Sequence, residues 1–262
     1  MSLTLSQIDA LAQRVLQAQT SAQAIPKLTL EYPDMTVTES YQIQSALRKL
    51  YEGQGHKVVG WKAGLTSRAK MRQMGVSVPS VGFLTDRMAR PENSAITTAD
   101  MVHPRVECEV GFVLSKPLHG PHCTREQVLD ATAFVLPSIE VIDSRYVDFK
   151  FDLPSVIADN SSSARFIGGG RYRRAAELDL RTLGVVMEIN GEVVATSASA
   201  AVMGHPADAV ALLVNLVGEL GESLPAGSFI MSGGITEAFA VKPGDHVQAR
   251  FQELGSVGAR FI

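Results

Sequence analysis

Apolar residues recur at helical spacing from the start of the chain: Leu5, Ile8, Leu11, Val15 and Leu16 share one side, and Asp9, Gln13 and Arg14 the other. A surface helix is predicted over 4–20. Thr36 and Glu39 have the spacing of a capping box, and Tyr41, Ile43, Leu47 and Leu50 continue a second helix that Gly53 and Gly55 close. At Val58 the pattern changes to Val58-Val-Gly-Trp-Lys-Ala-Gly64, a strand with room for close backbone packing. Ser67 is placed to cap a short helix running through Met74. From about Val81 strands dominate: Val106–Leu114, Phe134–Ile142, Leu183–Glu188, Glu192–Ala195, Ser228–Ser232, His246–Gln252 and Ser256–Ile262. Asn190-Gly191 marks a two-residue hairpin because both turn positions need positive φ, and Lys242-Pro-Gly-Asp245 marks another turn. A single helix interrupts the strands, entering at Pro206, carrying Val210, Leu213, Val214 and Val217 on one face, and stopping at Gly221.

These elements predict an α+β chain, with a small, mainly helical N-terminal lobe over 1–80 and a β-rich core over 81–262. The 262 residues are 45% hydrophobic and 19% charged, ordinary globular values that exclude a disordered or fibrous chain. A formal charge of −3, from 24 basic and 27 acidic residues, leaves no surplus to hold nucleic acid. The most apolar window, Ala200–Val217, contains His205, Pro206 and Asp208, so no membrane span is expected. The N-terminus lacks the basic start and continuous apolar stretch of an export signal, and a cytoplasmic protein is expected. Cys108 and Cys123 are too few for a disulfide scaffold and read as reduced thiols.

The most informative stretch is His103-Pro-Arg-Val-Glu107-Cys-Glu109-Val-Gly-Phe112. In a strand, Val106, Cys108, Val110 and Phe112 share one face while Glu107 and Glu109 share the other, about 7 Å apart. Their repulsion is about 2 kcal/mol at an effective dielectric of about 20, so something positive belongs between them. Glu140 interrupts the otherwise apolar run Phe134–Ile142 and needs compensation too. Three carboxylates without an interleaved histidine make a hard, all-oxygen ligand set suited to Mg²⁺ or Mn²⁺. The same residues also fit an edge strand facing water with Glu140 paired to an arginine, and spacing does not choose between the two. Lys62 is a lone cation in a strand that looks buried; facing the carboxylates, it would position an anionic substrate or move a proton. His119, His122 and Cys123 match no zinc spacing with Cys108. Gly168–Gly170 and Gly233-Gly234 read as turns, and Asp159–Ser163 as an Asx-type turn in which Ser161 has no histidine base.

Taken together, Gly60-Trp-Lys62-Ala-Gly64-Leu-Thr-Ser67, Glu107-Cys-Glu109, Glu140-Val-Ile-Asp-Ser-Arg145, Ala158-Asp-Asn-Ser161 and the ending Leu254–Ile262 resemble the hydratase/decarboxylase branch of the fumarylacetoacetate hydrolase superfamily. The resemblance runs from the N-terminal helices to Ile262. It implies a mixed β-roll core behind a small α/β lobe, with Glu107, Glu109 and Glu140 as ligands of Mg²⁺ or Mn²⁺ and no organic cofactor. It also implies Lys62 as the active-site lysine, Ser161 near the substrate, and a 2-oxo acid from catechol meta-cleavage as that substrate. Hydratases of the branch typically show Pro-Asp before an aromatic-Gly pair, whereas here the segment is Val78-Pro79-Ser80-Val81-Gly82. Phe149-Lys-Phe-Asp152 and Ser162-Ser-Ala-Arg165-Phe166 look closer to its decarboxylases. The implied reaction is then loss of CO₂ from the dicarboxylate 2-oxo-3-hexenedioate to give 2-hydroxypenta-2,4-dienoate, with Arg165 a candidate for recognising the distal carboxylate. Hydration of 2-hydroxypentadienoate is the alternative within the branch. A non-catalytic 2-oxo acid-binding or scaffold subunit is a third reading, since family decarboxylases can associate with the pathway hydratase.

Overall fold

The computed structural model describes residues 2–67, 71 and 79–262. Helices α1 (Leu5–Ser21) and α2 (Val37–Gly53) both start on capping boxes, Thr4 with Gln7 and Thr36 with Glu39. They pack on each other and send Ile8, Leu11, Val15, Ile43 and Leu47 into the common core. The short helix expected from Ser67 to Met74 falls mainly on 68–70 and 72–78, outside the described residues.

Strand β1 (Val58–Gly64) lies inside the sheet that carries the site, antiparallel to β2 (Ser80–Thr85) and parallel to β12 (Phe229–Met231). From β12 the order continues through β5 (Arg105–Leu114), β7 (Thr132–Ile142) and β8 (Ser163–Gly168) to β3 (Ala89–Arg90), with β13 (Phe239–Ala240) also paired to β5. This eight-stranded sheet curls into a half-barrel. A boundary at residue 80 would cut it between β1 and β2; the helical part ends before Val58, and the buried side chains of both parts form one continuous core. The period change at Val58, not the later onset of consecutive strands, marks the passage from helices to sheet.

A second sheet runs in the order β10 (Glu192–Ala198), β9 (Gly184–Ile189), β14 (His246–Phe251), β15 (Gly255–Phe261), β4 (Ala95–Ile96) and packs on β7 and β8. The β9–β10 hairpin turns through Asn190 and Gly191, at φ 57° and 84°, as their residue types demand. β6 (Leu118–His119) and β11 (Ser223–Leu224) form a small pair beside helices α3 (Arg125–Ala131) and α5 (Pro206–Glu219). Helix α4 (Leu153–Ala158) packs on α2. The apolar stretch Ser199–Glu219 has the length and hydropathy of a membrane span. Its helix is only α5, 14 residues, and that helix buries Val210, Leu213, Val214 and Val217 in the core. At 1.5 Å per residue it reaches about 21 Å, short of a hydrocarbon layer of about 30 Å.

Candidate active site

Alternation along β1, β5 and β7 brings the acidic residues and the lysine to one face. Glu107 stands directly opposite Glu140 in the β5–β7 register, Glu109 opposite Ser138, and Lys62 opposite Met231 on the neighbouring β12. All three carboxylates and Lys62 line one cavity of about 650 Å³. Each is nearly inaccessible, with Lys62 at 4% exposure, Glu109 at 1% and Glu140 at 2%. Lys62 Nζ lies 3.2 and 3.3 Å from the two oxygens of Glu140. Lys62 thus supplies positive charge beside Glu140 and Glu109, and the edge-strand reading of the acids fails because the sheet continues on both sides of β5 and β7.

The backbone is shaped around the carboxylates. Gly233 N–H donates to Glu109 Oε2 at 2.7 Å. A Cβ on Gly234 would stand 1.7 Å from Glu107 Oε2, so only glycine lets that carboxylate occupy its place. The two glycines expected as a simple turn are part of the site. Burial pushes the Glu109 carboxyl well above its ordinary range, and Glu140 and Glu107 add repulsion. Burial raises Glu140 as well, against the pull of Lys62.

Glu109 Oε1 and Glu140 Oε1 are buried without hydrogen-bond partners, the latter although Lys62 is close by. Orphaned carboxylate oxygens in a dry wall are costly unless a cation completes them. The oxygen donors of the three carboxylates suit Mg²⁺, Mn²⁺ or Ca²⁺. No three His, Cys, Asp or Glu side chains among the described residues are arranged to hold an ion as they stand. Binding one therefore requires the carboxylates, now drawn to Lys62 and Gly233, to turn toward it. The donor types and orphaned oxygens fit such an ion.

Ser161 reaches the cavity from a tight loop. Asn160, Ser161 and Ser162 all have positive φ, 51°, 50° and 59°, a run that costs about 1–3 kcal/mol per residue and persists only where neighbours fix it. Asn160 supplies one clamp: Phe83 N–H donates to its Oδ1 at 2.8 Å, and its Nδ2 donates to Phe83 O at 3.0 Å. Asp159 supplies the other, accepting from the Nε of fully buried Arg145, whose NH1 donates to Asp143 O and Ser163 O. Ser161 Oγ thereby donates to Ser80 Oγ at 3.0 Å, and both hydroxyls face the cavity.

Arg165 does not reach the cavity. It pairs with Val141, whose side chain is on the opposite face from that of Glu140, and its NH1 donates to Ala164 O. Burial, and then the nearby Arg90 and Arg87, lower its pKa against the opposite pull of Tyr51 and Asp100. The cavity instead presents Arg105, on the face of β5 that carries Glu107 and Glu109, beside Phe149 and Phe151. The alternation that paired the two acids also places Arg105, two residues earlier, on their side.

Over residues 59–262 the chain matches the fumarylacetoacetate (FAA) hydrolase C-terminal family model. It is 56% identical to 4-oxalocrotonate decarboxylase of Pseudomonas sp. (strain CF600), covering 100% of this chain and 99% of that one. It is 36% identical to 2-hydroxyhexa-2,4-dienoate hydratase of Comamonas testosteroni, over 97% of both. The solved structure of 4-oxalocrotonate decarboxylase from Pseudomonas putida G7, complexed with magnesium and adipate, superposes with a TM-score of 0.98 at 51% identity, covering 100% of this chain and 99% of that one. A half-barrel lined by buried acids and a full-length likeness of this degree lead to one assignment: the chain belongs to the fumarylacetoacetate hydrolase family.

Proposed function

We infer that this protein decarboxylates 2-oxo-3-hexenedioate (4-oxalocrotonate) to 2-hydroxypenta-2,4-dienoate and CO₂, using one divalent cation held by Glu107, Glu109 and Glu140. The observation that carries this reading is the burial of Lys62 among three carboxylates on the wall of a cavity large enough for a six-carbon diacid. The full-length likeness to decarboxylases at 56% identity, against 36% for a hydratase, supports the same choice.

Breaking the C5–C6 bond releases CO₂ and leaves an electron pair that moves through C4 and C3 to the 2-oxo oxygen, where a proton completes the product. A divalent cation supplies Lewis-acid stabilisation for that developing negative charge. The rest falls to the chain. Lys62 adds fixed positive potential beside the acids and holds or moves the proton that the 2-oxo oxygen gains. Ser161, held by its loop, donates to a substrate oxygen in place of its bond to Ser80. Ser80 is buried where a hydratase would carry an aspartate, so no acid stands at that position to deliver water.

The test is a spectrophotometric assay of 2-oxo-3-hexenedioate with CO₂ measured in parallel, on protein stripped with EDTA and then given Mg²⁺ or Mn²⁺. CO₂ release that disappears on stripping and returns with the ion is expected. Consumption of 2-hydroxypentadienoate with uptake of water would establish the hydratase instead, and stoichiometric binding without turnover would establish a binding subunit.

A further inference from the structure

Arg105 occupies a place in the cavity that the carboxylate cluster does not explain. It shares the face of Glu107, and at strand spacing their backbone positions are about 7 Å apart. Its backbone is fixed on both sides, by Ile142 of β7 and Ala240 of β13. Its guanidinium lies over the ring of Phe149, 4.2 Å from the centroid, and it forms no ion pair with any described residue. Phe149 is held in turn between His103, at 5.2 Å, and Phe151, at 5.8 Å. Asp148 and Phe149 both adopt positive φ, 58° and 59°, so the loop accepts strain in the conformation that lays this ring against the arginine. The result is a rigid guanidinium on the cavity wall, stacked on one face, with its edge donors available to an anion.

We propose that Arg105, backed by Phe149, is the subsite for the distal carboxylate of the substrate and sets the preference of this cavity for 2-oxo dicarboxylates over 2-oxo monocarboxylates. This inference rests on the decarboxylase reading above. An extended six-carbon diacid holds its carboxyl carbons about 6 Å apart, and the acidic cluster and Arg105 line one cavity of about 650 Å³. A diacid whose 2-oxo end lies at the acidic cluster carries its other carboxylate toward Arg105. A monoacid leaves the guanidinium unanswered, and a site built around such a pair discriminates against the analogue lacking it. Charge leaves that carboxylate as CO₂ forms, so Arg105 holds the reactant more firmly than the transition state and contributes to capture rather than to turnover.

The experiment compares wild type with Arg105→Gln and Arg105→Lys. Binding of adipate and of 2-oxobutyrate is followed by calorimetry in Mg²⁺, Mn²⁺ binding by electron paramagnetic resonance, and kcat and KM with 2-oxo-3-hexenedioate. For Arg105→Gln a loss of adipate affinity of tenfold or more is expected, with 2-oxobutyrate and Mn²⁺ binding within twofold of wild type. KM should rise by a similar factor while kcat holds or increases, and Arg105→Lys should recover part of the loss. Unchanged adipate affinity in Arg105→Gln, an equal loss of 2-oxobutyrate, or a fall in kcat at constant KM would each overturn the assignment. Mn²⁺ binding reports an intact fold and cation site independently of turnover. If wild type binds adipate through Arg105 but releases no CO₂, the decarboxylase reading fails and the anion subsite stands.

Discussion

An ammonium at 4% exposure has lost most of its water, and the Glu140 carboxylate lies against Lys62 in its place. Lys62 is placed beside the acids that would hold the cation, where its own charge opposes the ion's. Replacing it with methionine separates these two effects. Lys62→Met is expected to lower kcat by about 10²- to 10⁴-fold, the usual contribution of a positioned proton donor, while Mg²⁺ affinity stays level or rises because a neighbouring positive charge is gone. Turnover within tenfold of wild type would remove Lys62 from the mechanism. Gly234 offers an equally local test. A methyl group there would meet Glu107 Oε2 at 1.7 Å, so Gly234→Ala should turn the Glu107 carboxylate out of its present place and lower both Mg²⁺ affinity and activity. Gly53→Ala, at the end of α2 where a Cβ meets nothing within 4 Å, is the matched control and should change neither. Calorimetric Mg²⁺ titration of both variants decides the matter.

At the scale of elements, the site joins regular strands to one irregular loop. The strands were legible in the sequence because period-two alternation fixes which residues share a face, and Glu107, Glu109 and the run broken by Glu140 follow that rule directly. Their register did not follow: nothing in either segment says that Glu107 meets Glu140 rather than a neighbour two residues away, since pairing is set by contacts distant in the chain. Arg165 lies off the cavity for the same reason, because its face is set by its pairing with Val141, beside the register shift between Val141 and Ile142. Gly233 and Gly234 read as turns because a glycine's need for close approach names no partner. The loop Asn160–Ser162 was visible only as a polar cluster, yet its left-handed run depends on the bonds from Asn160 to Phe83. Asn160→Ala leaves the buried Phe83 amide and carbonyl without those partners, and is expected to cost about 2–4 kcal/mol of stability. Because Ser161 loses its fixed position, kcat should fall more than global destabilisation explains, even at temperatures where the variant is fully folded. Urea melts together with kinetics at 15 °C test this; a stable but catalytically normal variant would contradict the positioning role.

Across the whole molecule, the carboxylate cluster sets the stability of the native state against the requirements of the site. The folded pKa values of Glu109 and Glu140 lie above their ordinary value of 4.5, so the folded chain binds protons more tightly than the unfolded one. The sign follows from linkage: without metal, their contribution is most favourable below about pH 4.5 and is lost as pH rises through the folded values. Glu109→Gln removes one charge from the cluster while keeping its shape, and relieves repulsion on Glu140. In EDTA the variant should therefore gain stability relative to wild type as pH rises toward 8, by about 2–4 °C in Tm for each kcal/mol recovered. Saturating Mg²⁺ reverses the order, because an ion at a hundred times its Kd adds about 2.7 kcal/mol to a chain that binds it and nothing to one that does not. Protons compete for the same oxygens, so the Mg²⁺-dependent rise in wild-type Tm should shrink as pH falls from 8 to 5. Thermal melts of both proteins at the two pH values, with EDTA or Mg²⁺, contain the whole prediction. If Glu109→Gln is equally destabilised in all four conditions, the acid serves packing alone. If instead the ranking of the two proteins inverts on adding Mg²⁺ at pH 8, the electrostatic cost borne by the empty cluster is what makes it selective for a doubly charged ion.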